Sequence, residues 1–196
     1  MRKAGIAALA AAMLGTSPAM AINTFPAWNG TDAYAAFGCG QSTVFGQTIV
    51  IPKWKSSIGS FTFWMANYYS GSKPIIIRGE IYQWDPVNGH ATGSAVWESA
   101  PRKINFKDDN FHHVSFKADV AVTAGAQYVL FATVDKDYDK CTDRTLTFGA
   151  NIGGGPYSKG QIFGLNDGGD TSQWTTKRWW NIGTDWVFKA TMPPLN

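Results

Sequence analysis

The sequence predicts an all-β fold, a two-sheet jelly-roll-like sandwich with long C-terminal loops. Short runs of alternating apolar and polar residues recur from Gln47 onward, and turn-forming Gly, Pro, Asn, Asp and Ser separate them. No stretch repeats its apolar residues at helical spacing. The nine runs are about as many strands as two packed sheets need, and they cover residues 47–52, 58–68, 74–85, 95–106, 113–122, 127–135, 145–150, 160–165 and 186–192.

Alternation also assigns the faces of three strands, because side chains two residues apart lie on the same side of a sheet. The residues predicted to face the core are Phe61, Phe63 and Met65, then Ile75, Ile77, Gly79 and Ile81, then Val114, Phe116, Ala118, Val120 and Val122. The opposite faces of the first two strands carry Trp64, and then Ile76, Arg78, Glu80, Tyr82 and Trp84. The second of these faces mixes aromatic and charged residues, so it is not an ordinary solvent face.

The N-terminus has the three parts of a secretory signal peptide. Residues 2–3 are basic, residues 4–14 are apolar, and residues 19–21 read Ala-Met-Ala, the A-x-A shape that signal peptidases cut. We expect cleavage after Ala21, which leaves one domain over residues 22–196 in the periplasm or outside the cell. A retained anchor is the alternative, and it is disfavoured because the apolar run is too short for a bilayer.

Composition limits the partners. Without the predicted signal peptide the 17 basic residues fall to 15, against 14 acidic ones, so the mature chain is nearly neutral. Nucleic-acid binding depends on a surplus of Lys and Arg, so we expect no nucleic-acid partner. We also expect no membrane span. The sequence contains nothing that indicates an oligomeric state.

Cys39 and Cys141 are the two cysteines of the chain. A reactive or metal-binding thiol is the alternative to a disulfide, but neither cysteine has the C-x-x-C spacing or the neighbouring histidine that such a role requires. An even pair in an exported domain predicts one disulfide bond.

Several stretches are similar in their strand and turn residues to one group of proteins. They are residues 46–48 leading into a Pro-ended strand, residues 58–63, the G-E-I-Y-Q-W-D run at 79–85, residues 91–93 with 97–99, the run at 122–131, the N-D-G-G turn at 166–169 and residues 186–191. They resemble a β-sandwich domain of bacterial exported proteins, many of which carry a PEP-CTERM-type sorting tail. The resemblance implies a jelly-roll-like sandwich and brings no catalytic residues. Residues 193–196 have the pattern of neither a sorting helix nor a basic tail, so we do not expect surface anchoring by that route.

The two glutamates, Glu80 and Glu98, are the candidates for paired-carboxylate catalysis. Glu80 lies in mid-strand between Arg78 and Tyr82, a place where a glycosidase or lyase could hold a general acid. The competing interpretation is an ion pair on an exposed sheet, which contributes little to stability. A second acid facing Glu80 would favour the enzyme.

Asp135, Asp137 and Asp139 place carboxylates at alternate positions of one loop, as calcium sites do. The loop departs from the EF-hand pattern, and nearby lysines offset its charge, so a solvated loop is the favoured interpretation and no cofactor is expected. His112 and His113 are adjacent on a strand and point to opposite faces, which disfavours a shared metal.

The chain has nine tryptophans, and we expect some of them to form an exposed aromatic platform. Aromatic rings stack on sugar rings while polar neighbours bind the hydroxyl groups. The candidate ligand-binding residues are Trp64, Arg78, Glu80, Tyr82, Trp84, Trp174, Trp179 and Trp180.

These observations favour a secreted, non-catalytic module that binds a glycan or polysaccharide surface. The alternatives are a small polysaccharide-acting glycosidase or lyase that uses Glu80, and a structural envelope or matrix protein. Burial of the tryptophans would favour the structural protein.

Overall fold

The structure, a computed structural model, describes residues 20–193. This part of the chain forms thirteen strands in two antiparallel sheets that pack face to face, so the predicted all-β sandwich is confirmed. The strands are β1 (Met20–Asn23), β2 (Ala33–Phe37), β3 (Val44–Val50), β4 (Ser57–Tyr69), β5 (Ile75–Asp85), β6 (His90–Glu98), β7 (Arg102–Ile104), β8 (His112–Ala121), β9 (Gln127–Thr133), β10 (Thr145–Gly149), β11 (Ile162–Leu165), β12 (Trp180–Asn181) and β13 (Phe188–Met192). Short 3-10 helices lie at Phe25–Ala27, Asp135–Lys140 and Thr171–Thr175.

The first sheet is built around the long strand β4. One edge of β4 pairs with β8 along most of its length, and the other edge pairs first with β13 and then with β10. Strand β1 adds to β13, and β2 adds to β10. The strands nearest the two ends of the described chain are therefore neighbours, with Met20 opposite Met192.

The second sheet has the order β12-β11-β3-β9-β5-β6, and β7 pairs with the beginning of β5. The predicted strand at 95–106 is two strands in the structure, β6 and β7. Pro101 lies between them, where a residue without a backbone N–H cannot continue a ladder. Strands β1, β2 and β12 were not predicted.

The core lies between the two sheets, and the predicted face assignment is confirmed. The inward residues of β4, β5 and β8 belong to one buried cluster, while Ala118 and Val120 pack against its margin. At Gly79 the sheets approach so closely that a Cβ atom would lie 2.5 Å from the ring of Phe116. Only glycine fits this position of the ladder.

A second apolar cluster covers the outer face of the second sheet. Its members come from β3, β5, β6, β9 and β11 and from the segment 166–179, which crosses over them; they are Val44, Tyr82, Trp84, Ala91, Val129, Phe131, Leu165, Trp174 and Trp179. The long C-terminal loops thus form a third layer over part of the sandwich.

Cys39 and Cys141 form the predicted disulfide, with their Cα atoms 5.8 Å apart. The bond joins the loop after β2 to the end of the 3-10 helix at Asp135–Lys140. Such bonds are typical of proteins of oxidising compartments. Among residues 20–193, no helix has the length and hydropathy of a membrane span.

Candidate functional site

The outer face of the second sheet carries an open cleft of about 640 Å³. Its base consists of outward-facing side chains of four strands, and its walls are the turn after β5 and the loops on either side of β11. The residues that line it, which we call the outer cleft, are Thr48, Val50, Trp84, Pro86, Gly89, Gln127, Ser158, Lys159, Gly160, Gln161, Phe163, Arg178, Trp179, Trp180 and Asn181.

Hydrogen bonds hold the walls of the outer cleft on the sheet. The backbone N–H of Gln161 donates to Thr48 Oγ1 at 3.0 Å, and the backbone N–H of Trp179 donates to the carbonyl of Gly89 at 2.8 Å. Asn181 Nδ2 donates to Gln161 Oε1 at 2.5 Å. The polar groups are therefore positioned in advance, which lowers the entropic cost of binding a ligand.

The aromatic part of the cleft is a packed cluster. Trp84 lies against Phe163, with ring centroids 4.4 Å apart, and meets Trp179 edge-on at 5.5 Å. Both indoles are buried, whereas Phe163 is half-buried. Phe163 is thus the floor residue whose ring has area left for a ligand.

The polar part of the cleft consists of amides and cations. Gln127, Gln161 and Asn181 have side chains that both donate and accept hydrogen bonds, which is the requirement for binding sugar hydroxyl groups. Lys159 and Arg178 supply the charge, and the lining contains no carboxylate.

The expected exposed aromatic platform is wrong for five of its six residues. Trp64, Tyr82, Trp84, Trp174 and Trp179 are between 1% and 8% exposed, and Trp180 is 36% exposed. Of the eight candidate residues, only Trp84, Trp179 and Trp180 line the outer cleft.

The face assignment of these residues is right, but the faces are covered. Trp174 packs edge-on against Tyr82 and Phe131 on the outer face of the second sheet. Trp64 lies on the first sheet, away from the other candidates, and Phe25 stacks on it with ring centroids 4.8 Å apart. The covering residues Trp174 and Phe25 lie in segments without the alternation of a strand, so the sequence does not predict where these segments pack.

Trp180 is the one exposed member, and its ring covers the edge of the core. A Cβ atom at Gly164, its ladder partner, would lie 2.1 Å from Trp180 Cζ2, so the indole lies directly over the glycine. The ring also meets Phe45 of the inter-sheet core edge-on at 5.6 Å.

Two carboxyl groups anchor the covering segment. Trp174 Nε1 donates to Asp135 Oδ2 at 2.9 Å, and Thr43 Oγ1 donates to Asp167 Oδ1 at 3.0 Å. Burial, followed by the neighbouring Asp167 carboxyl, raises the pKa of Asp135 to about 7. The carboxyl group of Asp135 is therefore protonated below about pH 7, which lowers the free-energy cost of burying it.

A second acid faces Glu80, as the enzyme hypothesis requires, but the carboxylate of Glu80 is buried. Glu98 is its ladder partner on β6, and Lys136 forms ion pairs with both carboxylates, at 3.3 Å from Glu80 Oε1. The Glu80 side chain is 0% exposed. Burial raises its pKa to about 7, although Lys136 opposes the shift.

Arg78 extends this ion-pair network. It contacts Glu98 Oε1 and Asp137 Oδ2, each at 2.7 Å, and Lys140 binds the other oxygen of Asp137 at 2.7 Å. Burial opposes the ionisation of Asp137, but the hydrogen bonds from Arg78 and Lys140 lower its pKa. The network connects β5, β6 and the 3-10 helix at Asp135–Lys140, and it lies outside the lining of the outer cleft.

The three aspartates proposed for calcium do not face one site. Asp135 bonds to Trp174, Asp137 is bound by two cations, and Asp139 is exposed. Within residues 20–193, no group of three or more His, Cys, Asp or Glu residues has the arrangement of a metal site.

Sequence reasoning missed most of the cleft. Phe163, Gln127, Gln161, Arg178 and Asn181 were not candidates. Alternation in β11 contains the signal for Phe163, because Ile162 faces the core and its neighbour must face outward. For the loop residues the sequence has no such signal, since loops have no fixed period.

Comparison with protein-family models and with curated proteins finds no match. Among solved structures, a clostridial cysteine protease, Cwp84 after propeptide cleavage, has a similar fold. The TM-score is 0.53 at 10% identity, over 90% of this chain and 40% of that one.

A second Cwp84 structure, described as the cysteine protease and lectin-like domains of a surface-layer-associated protein of Clostridium difficile, gives a TM-score of 0.45 at 12% identity. It covers 79% of this chain and 32% of that one. This chain spans less than half the length of either protein, and the first likeness shows the fold alone.

Proposed function

We propose that this protein is a secreted, non-catalytic module that binds carbohydrate in the outer cleft. The observation that carries the proposal is the lining of the cleft, which combines the half-buried ring of Phe163 with three amide side chains. A sugar has an apolar face and a rim of hydroxyl groups, and these two kinds of surface match the ring and the amides. The volume of about 640 Å³ is typical of sites for small ligands.

A non-catalytic role is supported by the position of the acids. Glu80 is fully buried behind Lys136, so a substrate does not reach it without displacing the ion pair. The lining of the outer cleft has no carboxylate to act as general acid or base. Both cysteines of the chain are joined in the disulfide, so the thiol chemistry of the structural neighbour has no counterpart here.

Secretion is supported by the disulfide and by the leader-like N-terminus. Residues 1–19 lie outside the described residues, and the proposed cleavage after Ala21 falls inside β1. Ile22 and Asn23 would keep their ladder partners Ala190 and Lys189 after cleavage.

A structural envelope or matrix protein is the second candidate. It is favoured by the burial of five of the six platform aromatics, which makes the tryptophans part of the packing. It requires no ligand in the outer cleft.

The experiment is titration of the mature chain against a panel of polysaccharides, with release of reducing ends assayed in parallel. We expect binding without release, and a roughly tenfold weaker affinity in Phe163→Ala, because stacking on one ring contributes on the order of 1 kcal/mol. Phe25→Ala is the matched control, since Phe25 is an exposed aromatic residue on the first sheet.

Three outcomes decide between the candidates. Binding that is lost in Phe163→Ala and kept in Phe25→Ala supports the outer cleft. Sugar release that disappears in Glu80→Gln would make the protein an enzyme. No binding to any member of the panel leaves the structural role.

A further inference from the structure

Arg178 has no side-chain partner among residues 20–193. Residues 20–193 contain four arginines, and three of them are bound: Arg78 by two carboxylates, Arg102 by a carbonyl and Arg144 by five oxygen acceptors. Within this part of the chain Arg178 has neither a hydrogen bond nor an ion pair through its guanidinium group. Its charge is therefore available to a ligand.

Arg178 is exposed, but the stem of its side chain lies against a turn. A Cβ atom at Gly89 would lie 3.2 Å from Arg178 Cγ and 3.4 Å from Arg178 Nε, so the side chain lies across the turn between β5 and β6. The backbone of the next residue, Trp179, is hydrogen-bonded to the same glycine. Arg178 therefore lies between the buried indole of Trp179 and the turn at Gly89, and it forms part of the wall of the outer cleft.

Two acids close in sequence to these walls are engaged elsewhere. Asp85 accepts hydrogen bonds from the backbone of Val87 and from Asn88 within its own turn. Asp170 accepts hydrogen bonds from Ser172 and Gln173 within the 3-10 helix that follows it. Lys159 adds a second cation to the cleft, and it too has no partner among the described residues.

We infer that the outer cleft binds an acidic sugar, and that Arg178 binds its anionic group. A planar guanidinium presents paired N–H donors that match the two oxygens of a carboxylate, and sulfate has oxygens at similar spacing. The amides of Gln161 and Asn181 line the same cleft and bind hydroxyl groups of the same glycan. This inference rests on the proposed function and adds the class of glycan to it.

The test uses pairs of polysaccharides that differ only in charge. Polygalacturonate and alginate are compared with their esterified forms, and sulfated galactans with their desulfated forms, by titration of the mature protein at low and high salt. We expect at least tenfold tighter binding of the charged member of a pair, reduced by salt. The uronate and sulfate arms show which anion is preferred.

Two variants locate the effect. Arg178→Gln removes the charge but keeps an amide donor on a shorter stem, and we expect it to abolish the difference between charged and uncharged members. Lys177→Gln removes the same charge one residue away, outside the lining of the cleft, and we expect it to keep the difference. Circular dichroism and melting temperature check that both variants fold.

The outcomes separate the two proposals. Equal binding of charged and uncharged members, weakened by Phe163→Ala, overturns the acidic-sugar inference and leaves the carbohydrate-binding proposal standing. A preference for charge that persists in Arg178→Gln, or is lost equally in Lys177→Gln, also overturns the inference, because net charge would then explain it. Absence of binding to every glycan, charged or neutral, overturns both.

Discussion

Trp174 Nε1 donates a hydrogen bond to Asp135 Oδ2 at 2.9 Å, and this contact joins the covering segment 166–179 to the 3-10 helix that follows β9. Both side chains are buried. The bond therefore holds the segment that ends in Arg178 and Trp179, so the shape of the outer cleft depends on a contact made several residues earlier in the chain.

Trp174→Phe should lower the free energy of unfolding by about 1–3 kcal/mol, because it leaves a buried carboxyl oxygen without its donor. Urea unfolding followed by circular dichroism measures the change. Trp54→Phe is the control, since Trp54 is 55% exposed and its replacement should shift the midpoint little. An unchanged midpoint in Trp174→Phe would show that the anchor contributes nothing.

The protein should be less stable at pH 8 than at pH 5 because of Glu80 and Asp135. Both have a pKa of about 7 in the folded protein, above their ordinary values of 4.5 and 3.8. Between these values and pH 7 the unfolded state has released protons that the folded state keeps, so the free energy of unfolding falls as pH rises. Above pH 7 the loss is complete, about 3 kcal/mol for Glu80 alone.

Glu80→Gln isolates this effect. We expect the variant to be more stable than the parent at pH 8, with a difference that disappears towards pH 4, in melting temperatures recorded across the range. Glu98→Gln should behave in the opposite way, because Lys136 and Arg78 lower the pKa of Glu98 against the effect of its burial. Its carboxylate stabilises the folded state above its ordinary pKa, so the loss in this variant should shrink at low pH. Parallel curves for the two variants would contradict the assignment.

Gly164→Ala should displace Trp180, because the added methyl group would lie 2.1 Å from Cζ2 of the indole. Overpacking of this kind costs about 1–3 kcal/mol. The same substitution in a Trp180→Ala background should cost less, since the clash is removed. If the two costs are equal in a double-mutant cycle followed by denaturant unfolding, the indole does not lie over Gly164.

Removing the Cys39–Cys141 bond should destabilise the protein strongly. The bond spans 102 residues, and closing a loop of this length contributes about 4–5 kcal/mol on the chain-entropy model. We expect a lower melting temperature in the Cys39→Ser and Cys141→Ser double variant, and no free thiol in the parent under thiol trapping. Two labelled thiols in freshly secreted protein would refute the bond.

The fold and the faces of its strands could be predicted because alternation is a property of the strand itself. Phe61, Ile77 and Val114 face the core as expected, since a period of two assigns each residue by its neighbours alone. Exposure could not be predicted in the same way. Tyr82 and Trp84 are on the outer face as expected, yet a segment some 90 residues later covers them.

The candidate site also contains residues that could be predicted, which lie on strands, and residues that could not, which lie on loops. Trp84 lies at the cleft because its strand places it there, whereas Arg178 reaches the cleft through a loop whose course depends on the contacts of Trp174 and Trp179. Such contacts join residues that are distant in the chain, and no local pattern encodes them. The ion-pair partner of Glu80 was missed for this reason, because Lys136 comes from a 3-10 helix outside the sheet.

Strands β1 and β13 lie side by side in the first sheet, while the outer cleft opens on the far face of the second sheet. A copy attached to a support at either of these strands therefore keeps its cleft free and turned away from the point of attachment. Under the proposed function, a layer of such copies would hold a long polysaccharide at many points at once, so that individually weak sites would retain it by avidity.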